Sequence, residues 1–219
     1  MDVNDPASFR PISNLNTNSK IIERLALTRL RPQITESTNF NKLQSAYRQY
    51  HSTETALFNI LNDSYGSIDS GQSTLLVALD LSAAFDTVEH SVLLTRLQNS
   101  FGVTGMVGNW ITSYLTDRSQ FIHGYESSDV TDCSCGVPRG SVLGPLFFVA
   151  YISHVACNAL IFGVFLSQYA DDTQQYVTLS KKAVNDTVTN LQNCLFDVNT
   201  WFRQNRKILS GALINYTAC

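Results

Sequence analysis

From Gly140 to Ala170 the chain carries no Asp, Glu, Lys or Arg, and this uncharged run ends on two adjacent acids, Asp171 and Asp172. An apolar run beyond ~18 residues is long enough to span a bilayer. This one is broken by Gly144-Pro145, Ser153-His154 and Asn158 and lacks flanking basic and aromatic anchors. It reads as a buried helix followed by a buried strand, with no membrane as partner. Adjacent carboxylates repel each other and lose hydration when buried, so they belong in a solvated turn or around a bound cation. The β-leaning stretch from Thr173 to Leu179 follows them. The whole therefore predicts a strand-turn-strand hairpin with the acids at its tip.

A chain of 219 residues with 44% apolar content can build a substantial core. Its net charge of −3 argues against a surface that binds polyanions everywhere, while leaving room for a local basic groove. The cysteines at 133, 135, 157, 194 and 219 form no C-x-x-C pair, and Met1 to Arg10 lacks a basic start followed by an apolar segment. These features predict an unsecreted, reduced protein without a zinc site and with no targeting signal.

Along the chain, Asp5-Pro6 and Arg10-Pro11 mark an opening loop. Ile21, Ile22, Leu25, Ala26 and Leu30 recur at helical spacing, and Arg31-Pro32 is expected to stop that helix. After a polar connector carrying Tyr47 and Arg48, Ser52 starts a second helix through Ala56, Leu57, Ile60 and Leu61. The run Leu75 to Leu79 fits a central strand buried on both faces, with Asp80 at its C-terminal end. Asp86-x-x-Glu89 reads as a capping pair for the helix that follows. Met106 to Leu115 predicts a helix with Val107, Trp110, Ile111 and Tyr114 on one face. Ser119 to Tyr125 and Val130 to Cys135 could pair as a hairpin. Gly136 to Pro145 is a Gly/Pro-rich turn opening an apolar helix, where backbone can approach an anionic ligand closely. Val184, Val188, Leu191, Leu195, Val198 and Phe202 predict a long amphipathic helix, and the tail from Arg203 to Cys219 shows little pattern.

The chemistry lies in the acids. If neighbouring antiparallel strands bring Asp80 to Asp171 and Asp172, three carboxylates converge as an all-oxygen site for a hard divalent cation, Mg²⁺ above all. Two such ions about 3.5 to 4 Å apart serve in-line phosphoryl displacement, so nucleotidyl transfer is the expected reaction. The four histidines make no H-E-x-x-H, and G-x-S-x-G, P-loop and G-x-G-x-x-G motifs are all missing.

FRPISNL at 9–15, QSAYRQYHSTETAL at 44–57, ALDLSAAFDTV at 78–88, GVPRGSVLGPLFF at 136–148 and YADDTQ at 169–174 occur in that order. Together they resemble the successive blocks of reverse transcriptases from non-long-terminal-repeat retrotransposons, the jockey-like and chicken-repeat-like elements in particular. The resemblance implies an α+β right-hand polymerase palm, an antiparallel sheet with packed helices, plus partial fingers and no thumb. It assigns residues 1–72 to partial fingers, 73–90 to palm, 91–135 to a fingers insertion, 136–205 to palm and 206–219 to a degenerate or truncated tail. Asp80, Asp171 and Asp172 would be the metal ligands for two Mg²⁺ ions, with Mn²⁺ as a substitute. Phe85 would close the sugar pocket against a ribose 2′-hydroxyl, and Arg10 would meet the triphosphate. Gly140 would lie under nucleotide and template, and Tyr169 near the primer end. The implied partners are an RNA template, a DNA primer and deoxynucleoside triphosphates, and the implied location is intracellular, and nuclear if the chain is active.

Three departures accompany the resemblance. Arg139, at a position that would contact the incoming nucleotide, stands where the family usually has Gln. The basic segment that precedes the first block in the family, and the lysine-bearing block, thumb and endonuclease beyond the long helix, are expected to be missing, as in a chain truncated at both ends. Two readings follow, an RNA-directed DNA polymerase domain and a catalytically silent retrotransposon remnant that at most binds nucleic acid or a protein.

Overall fold

The computed structural model describes residues 12–123, 127–205 and 208–217, so Arg10 lies outside the described residues. In chain order the elements are α1 (Thr17–Thr35), α2 (Thr53–Asp69), β1 (Ser73–Ser82), α3 (His90–Asn99), α4 (Gly105–Leu115), β2 (Ser119–Gln120), β3 (Thr131–Asp132), α5 (Gly144–Ile152), α6 (Val155–Ile161), β4 (Phe165–Tyr169), β5 (Asp172–Leu179), α7 (Val184–Gln204) and β6 (Ile208–Thr217). One sheet orders its strands β4-β5-β1-β6, every neighbour antiparallel. The α+β class and the central position of β1 agree with the sequence.

The uncharged run becomes α5, α6 and β4, two helices before the strand where one helix was expected. Ser153 breaks them apart by turning its hydroxyl away to the 39–41 segment, accepting from the Asn41 N–H at 2.6 Å and donating to the Asn39 carbonyl at 3.1 Å. Phe147, Phe148, Tyr151 and Ile152 of α5 are completely buried. Each such side chain contributes about 1.5–3 kcal/mol by leaving water, which explains a helix with no polar face.

One face of the sheet carries Val77, Leu79 and Leu81 of β1 with Thr173, Gln175 and Val177 of β5, all buried. α7 covers it, with Leu191, Cys194, Val198 and Phe202 inward and the Cys194 thiol donating to Gln175 Oε1 at 3.6 Å. The opposite face is held at one end by α2, where Ser67 meets Thr178 at 2.9 Å and Tyr176 donates to Asp63 at 2.6 Å. α2 starts as expected at Ser52, which forms a capping box with Thr55. Strand alternation puts Asp80 and Asp172 on this second face, beyond the end that α2 covers.

Four expectations need correction. α1 runs through Pro32 to Thr35, because a proline in the last turn removes only its own N–H and the turn still closes through the Glu36 N–H on the Pro32 carbonyl at 3.0 Å. The same helix leaves Ile21, Ile22 and Leu25 exposed and buries Glu23, for a reason that appears at the site. The tail without pattern supplies β6, which pairs with β1 from Thr74↔Thr217 to Ser82↔Ile208. A central strand needs partners for both rows of its backbone groups, and that requirement outweighs weak local propensity. The hairpin at 119–135 narrows to a ladder of two pairs, Ser119↔Asp132 and Gln120↔Thr131, and one isolated bridge, His123↔Ser127, and residues 124–126 of its expected span lie outside the described residues.

Candidate active site

β1 and β5 build the acidic end. Their register pairs Leu79 with Thr173, and one further step along both strands sets Asp80 opposite Asp172. Both residues are exposed. Like charges directly across a strand pair destabilise it, a cost that a cation between them removes. Between Asp80 and Leu81 the pairing with β6 shifts register, an irregularity of the kind that re-aims side chains beside functional sites.

Asp171 occupies the two-residue turn that joins β4 to β5, after Ala170 at φ 54°. It lines a cavity of about 360 Å³ together with Tyr47, Phe85, Arg139, Gly140 and Pro145. Of the residues singled out in the sequence, Asp171, Phe85, Arg139 and Gly140 line this one cavity, while Asp80 and Asp172 lie outside its lining, one step beyond the last pair of β1 and β5. Tyr169 ends β4 and pairs with Asp172. Among the described residues, no three acidic, histidine or cysteine side chains gather closely enough to hold one metal ion.

The cavity floor is braced by aromatic and ionic contacts. Phe85 stacks on Phe148 with ring centroids 4.5 Å apart, and the Arg139 guanidinium lies 5.9 Å from the Phe85 ring centre. Arg139 forks onto Asp86, donating through Nε at 3.2 Å and Nη2 at 2.9 Å. Asp86 is therefore an ion-pair partner and not a helix cap. Residues 83–87 close a turn of their own, with the Asp86 N–H on the Ala83 carbonyl at 2.9 Å, and α3 begins only at His90 with no side-chain cap at Glu89.

The turn from Gly136 to Gly140 is laced to the same floor. Val137 N–H donates to the Phe85 carbonyl at 2.9 Å, and Ser13 N–H donates to the Arg139 carbonyl at 2.8 Å. Gly140 adopts φ 91°, which a side chain would strain. Beyond the turn, α5 has no side chain of its own capping its N-cap, Leu143. Ser141 Oγ takes the Gly144 N–H at 2.9 Å, and Glu23 of α1 takes the two N–H groups before it from across the fold, its Oε2 accepting from Val142 N–H at 2.6 Å and Leu143 N–H at 3.1 Å. The carboxylate is 1% exposed, and the helix start that it meets carries partial positive charge. That need explains why α1 turns an acid inward.

Two contributors were not singled out from sequence. Tyr47, at φ 60°, lines the cavity beside Asp171. Its phenol is pushed above the ordinary value by burial, then by the nearby Asp171 charge and by Tyr169. Gln44 reaches the turn from behind, where its amide grips the backbone of Ala170. Both lie in the 44–57 block that helped carry the resemblance, so the signal was present but attached to no role.

A family model described as reverse transcriptase (RNA-dependent DNA polymerase) matches residues 3–212. Among curated proteins, the probable RNA-directed DNA polymerase from transposon BS of Drosophila melanogaster is 30% identical over 91% of this chain and 22% of its own length. The RNA-directed DNA polymerase from mobile element jockey of the same species is 29% identical over 90% of this chain and 22% of its own length. The chain thus spans about a fifth of these relatives. Among solved structures, apo telomerase from Candida tropicalis truncated from the C-terminal domain matches with a TM-score of 0.61 and 14% identity, over 93% of this chain and 41% of that one. Telomerase from the same species in complex with a fragment of telomeric RNA gives a TM-score of 0.63 and 12% identity, over 91% of this chain and 34% of that one. These structural likenesses speak for the fold alone, a palm-like sheet with packed helices. With the matched model covering nearly all of its length and the acids standing at the tip of that sheet, the chain belongs to the reverse transcriptase family.

Proposed function

We propose that this chain performs RNA-directed DNA synthesis, adding deoxynucleotides from their triphosphates to the 3′-hydroxyl of a DNA primer paired with an RNA template. The observation that carries the reading is the shared cavity of Asp171, Phe85, Arg139 and Gly140, with Asp171 in the turn that joins β4 to β5. Phe85 is fixed between Phe148 and Arg139, and such a ring would exclude a ribose 2′-hydroxyl by bulk. Arg139 presents positive charge to the triphosphate while its fork holds Asp86. Gly140 lets the chain pass close beneath the base and sugar. Tyr169, beside Asp172, would pack near the primer end.

Reverse transcriptases work with divalent metal. In donor chemistry the acids suit this requirement, being oxygen ligands carried on neighbouring strands and their turn, though a shared ion would have to draw the three together. Asp80, Asp171 and Asp172 would hold Mg²⁺, or Mn²⁺ in its place, and the bound ion would supply stabilisation of charge on the phosphates. Primer extension on an RNA template with deoxynucleotides, beside an Asp171→Ala control, tests the proposal. Incorporation by the parent chain and its loss in the control are expected. Equal incorporation by both would remove Asp171 from the site, and binding of template-primer without extension would make the chain a silent nucleic-acid-binding remnant.

A further inference from the structure

Ala170 is a residue with a side chain held at φ 54°, immediately before Asp171. Residues other than glycine, asparagine and aspartate seldom adopt this left-handed geometry unless their surroundings hold them in it. The two-residue turn between β4 and β5 calls for it, and Gln44 braces it. Its Oε1 accepts from the Ala170 N–H at 2.9 Å, and its Nε2 donates to the Ala170 carbonyl at 3.1 Å. Both backbone groups of one residue are thus taken by one planar amide, whose oxygen is itself fixed by the Ala46 N–H at 3.0 Å. Gln44 is 1% exposed, and its segment is fastened to β4 on the same side: Ser45 N–H donates to the Gln168 carbonyl at 2.8 Å, and Gln168 N–H donates to the Leu43 carbonyl at 3.0 Å. A buried amide with a rigid mount and two bonds to the residue before a candidate ligand constrains the direction in which that ligand leaves the backbone.

We infer that Gln44 is a positioning residue for Asp171, clasping Ala170 in its left-handed conformation so that the carboxylate points into the cavity. The inference rests on the polymerase reading for its consequence, but the clasp itself does not. Three full-length chains are compared with the parent: Gln44→Met, which keeps length and apolar bulk while losing the amide; Ala170→Gly, which adopts positive φ freely; and the double variant. Two readouts are taken, Mn²⁺ affinity by titration of the chain alone and primer extension resolved into kcat and nucleotide KM.

A misaimed carboxylate should weaken Mn²⁺ about tenfold in Gln44→Met, and an error of ~1 Å at a reacting centre should lower kcat up to about 100-fold. KM should stay within about threefold, since the nucleotide's own contacts are untouched. The double variant should recover at least part of both losses, because glycine takes the turn without the clasp. Lower melting temperature with unchanged Mn²⁺ affinity and unchanged kcat would reduce Gln44 to a structural role and overturn the inference. Loss without any recovery in the double variant would overturn it too. If the parent binds Mn²⁺, fails to extend primers, and loses and regains the ion with the clasp, the polymerase reading falls while the clasp stands. If the parent extends primers and Gln44→Met matches it in both readouts, the clasp falls while the polymerase reading stands. A parent with neither Mn²⁺ binding nor extension defeats both.

Discussion

Replacing Glu23 should destabilise the protein through a helix 119 positions away from it in sequence. The carboxylate accepts from Val142 N–H at 2.6 Å and Leu143 N–H at 3.1 Å, and Ser19 Oγ donates to its other oxygen at 3.3 Å. Glu23→Ala leaves two backbone donors without an acceptor. Each buried unsatisfied group costs about 1–3 kcal/mol. Leu143 is fully buried and belongs at the upper end, whereas Val142 is half-buried and belongs at the lower. The variant no longer has to strip a carboxylate of its water on folding, which offsets part of the sum and leaves about 3 kcal/mol. For a domain of this size that corresponds to roughly 6–12 °C in Tm. Glu23→Gln keeps an accepting oxygen and a group for Ser19, loses only the charge, and should cost about 1 kcal/mol, or roughly 2–4 °C. Thermal unfolding followed by circular dichroism, with urea titration as a second measure, reads both variants. An alanine variant within about 1 °C of the parent, or a glutamine variant as damaging as alanine, would refute the capping argument.

The Arg139 fork on Asp86 is only partly shielded from solvent, so a double-mutant cycle with Arg139→Gln and Asp86→Asn should return a coupling of about 1 kcal/mol in urea unfolding, and zero coupling would remove the ion pair from the account. His154 is held below its ordinary pKa by burial and then by Arg96, so protonation favours the unfolded chain and stability should fall as the pH drops below about 6.5. A His154→Gln variant should flatten the dependence of Tm on pH between 7 and 5, and an unchanged slope would assign that dependence elsewhere. Burial, with Asp197 nearby, pushes the Cys194 thiol up to about 11, and the side chain is fully enclosed. A thiol reagent followed by peptide mapping should label the exposed Cys135 and Cys157 in the native protein and Cys194 only as it unfolds; rapid native labelling of Cys194 would contradict the packing of α7.

The elements legible in sequence were those whose cause is local. The acidic hairpin, the strand from Leu75 to Leu79, the Ser52 cap and the stripe of α7 each announce themselves through neighbours within a few residues. What stayed hidden depends on partners far along the chain. Ile21 and Leu25 mark a helix correctly, yet the face that turns inward is chosen by two N–H groups at 142 and 143, which no periodicity in α1 encodes. Asp86 resembles a cap because Glu89 follows at the right spacing, and only the fold brings Arg139 to it. β6 is specified by the open side of β1 more than by its own composition. At the site, the acids, Phe85 and Gly140 could be named from their blocks, whereas the task of Gln44 depends on the conformation of Ala170, which appears only when the backbone is built.

The bridge between Gln44 and Gln168 has a consequence for how the molecule meets copies of itself. β4 is an outer strand of the sheet, and its free edge is the side on which another chain's strand would add. Residues 43–45 occupy that edge at Gln168, next to the acidic tip, using its N–H and carbonyl together. The same short segment thus shields the tip from intermolecular strand pairing. Substitutions that loosen it would show themselves as self-association at high concentration, before any loss of helical signal.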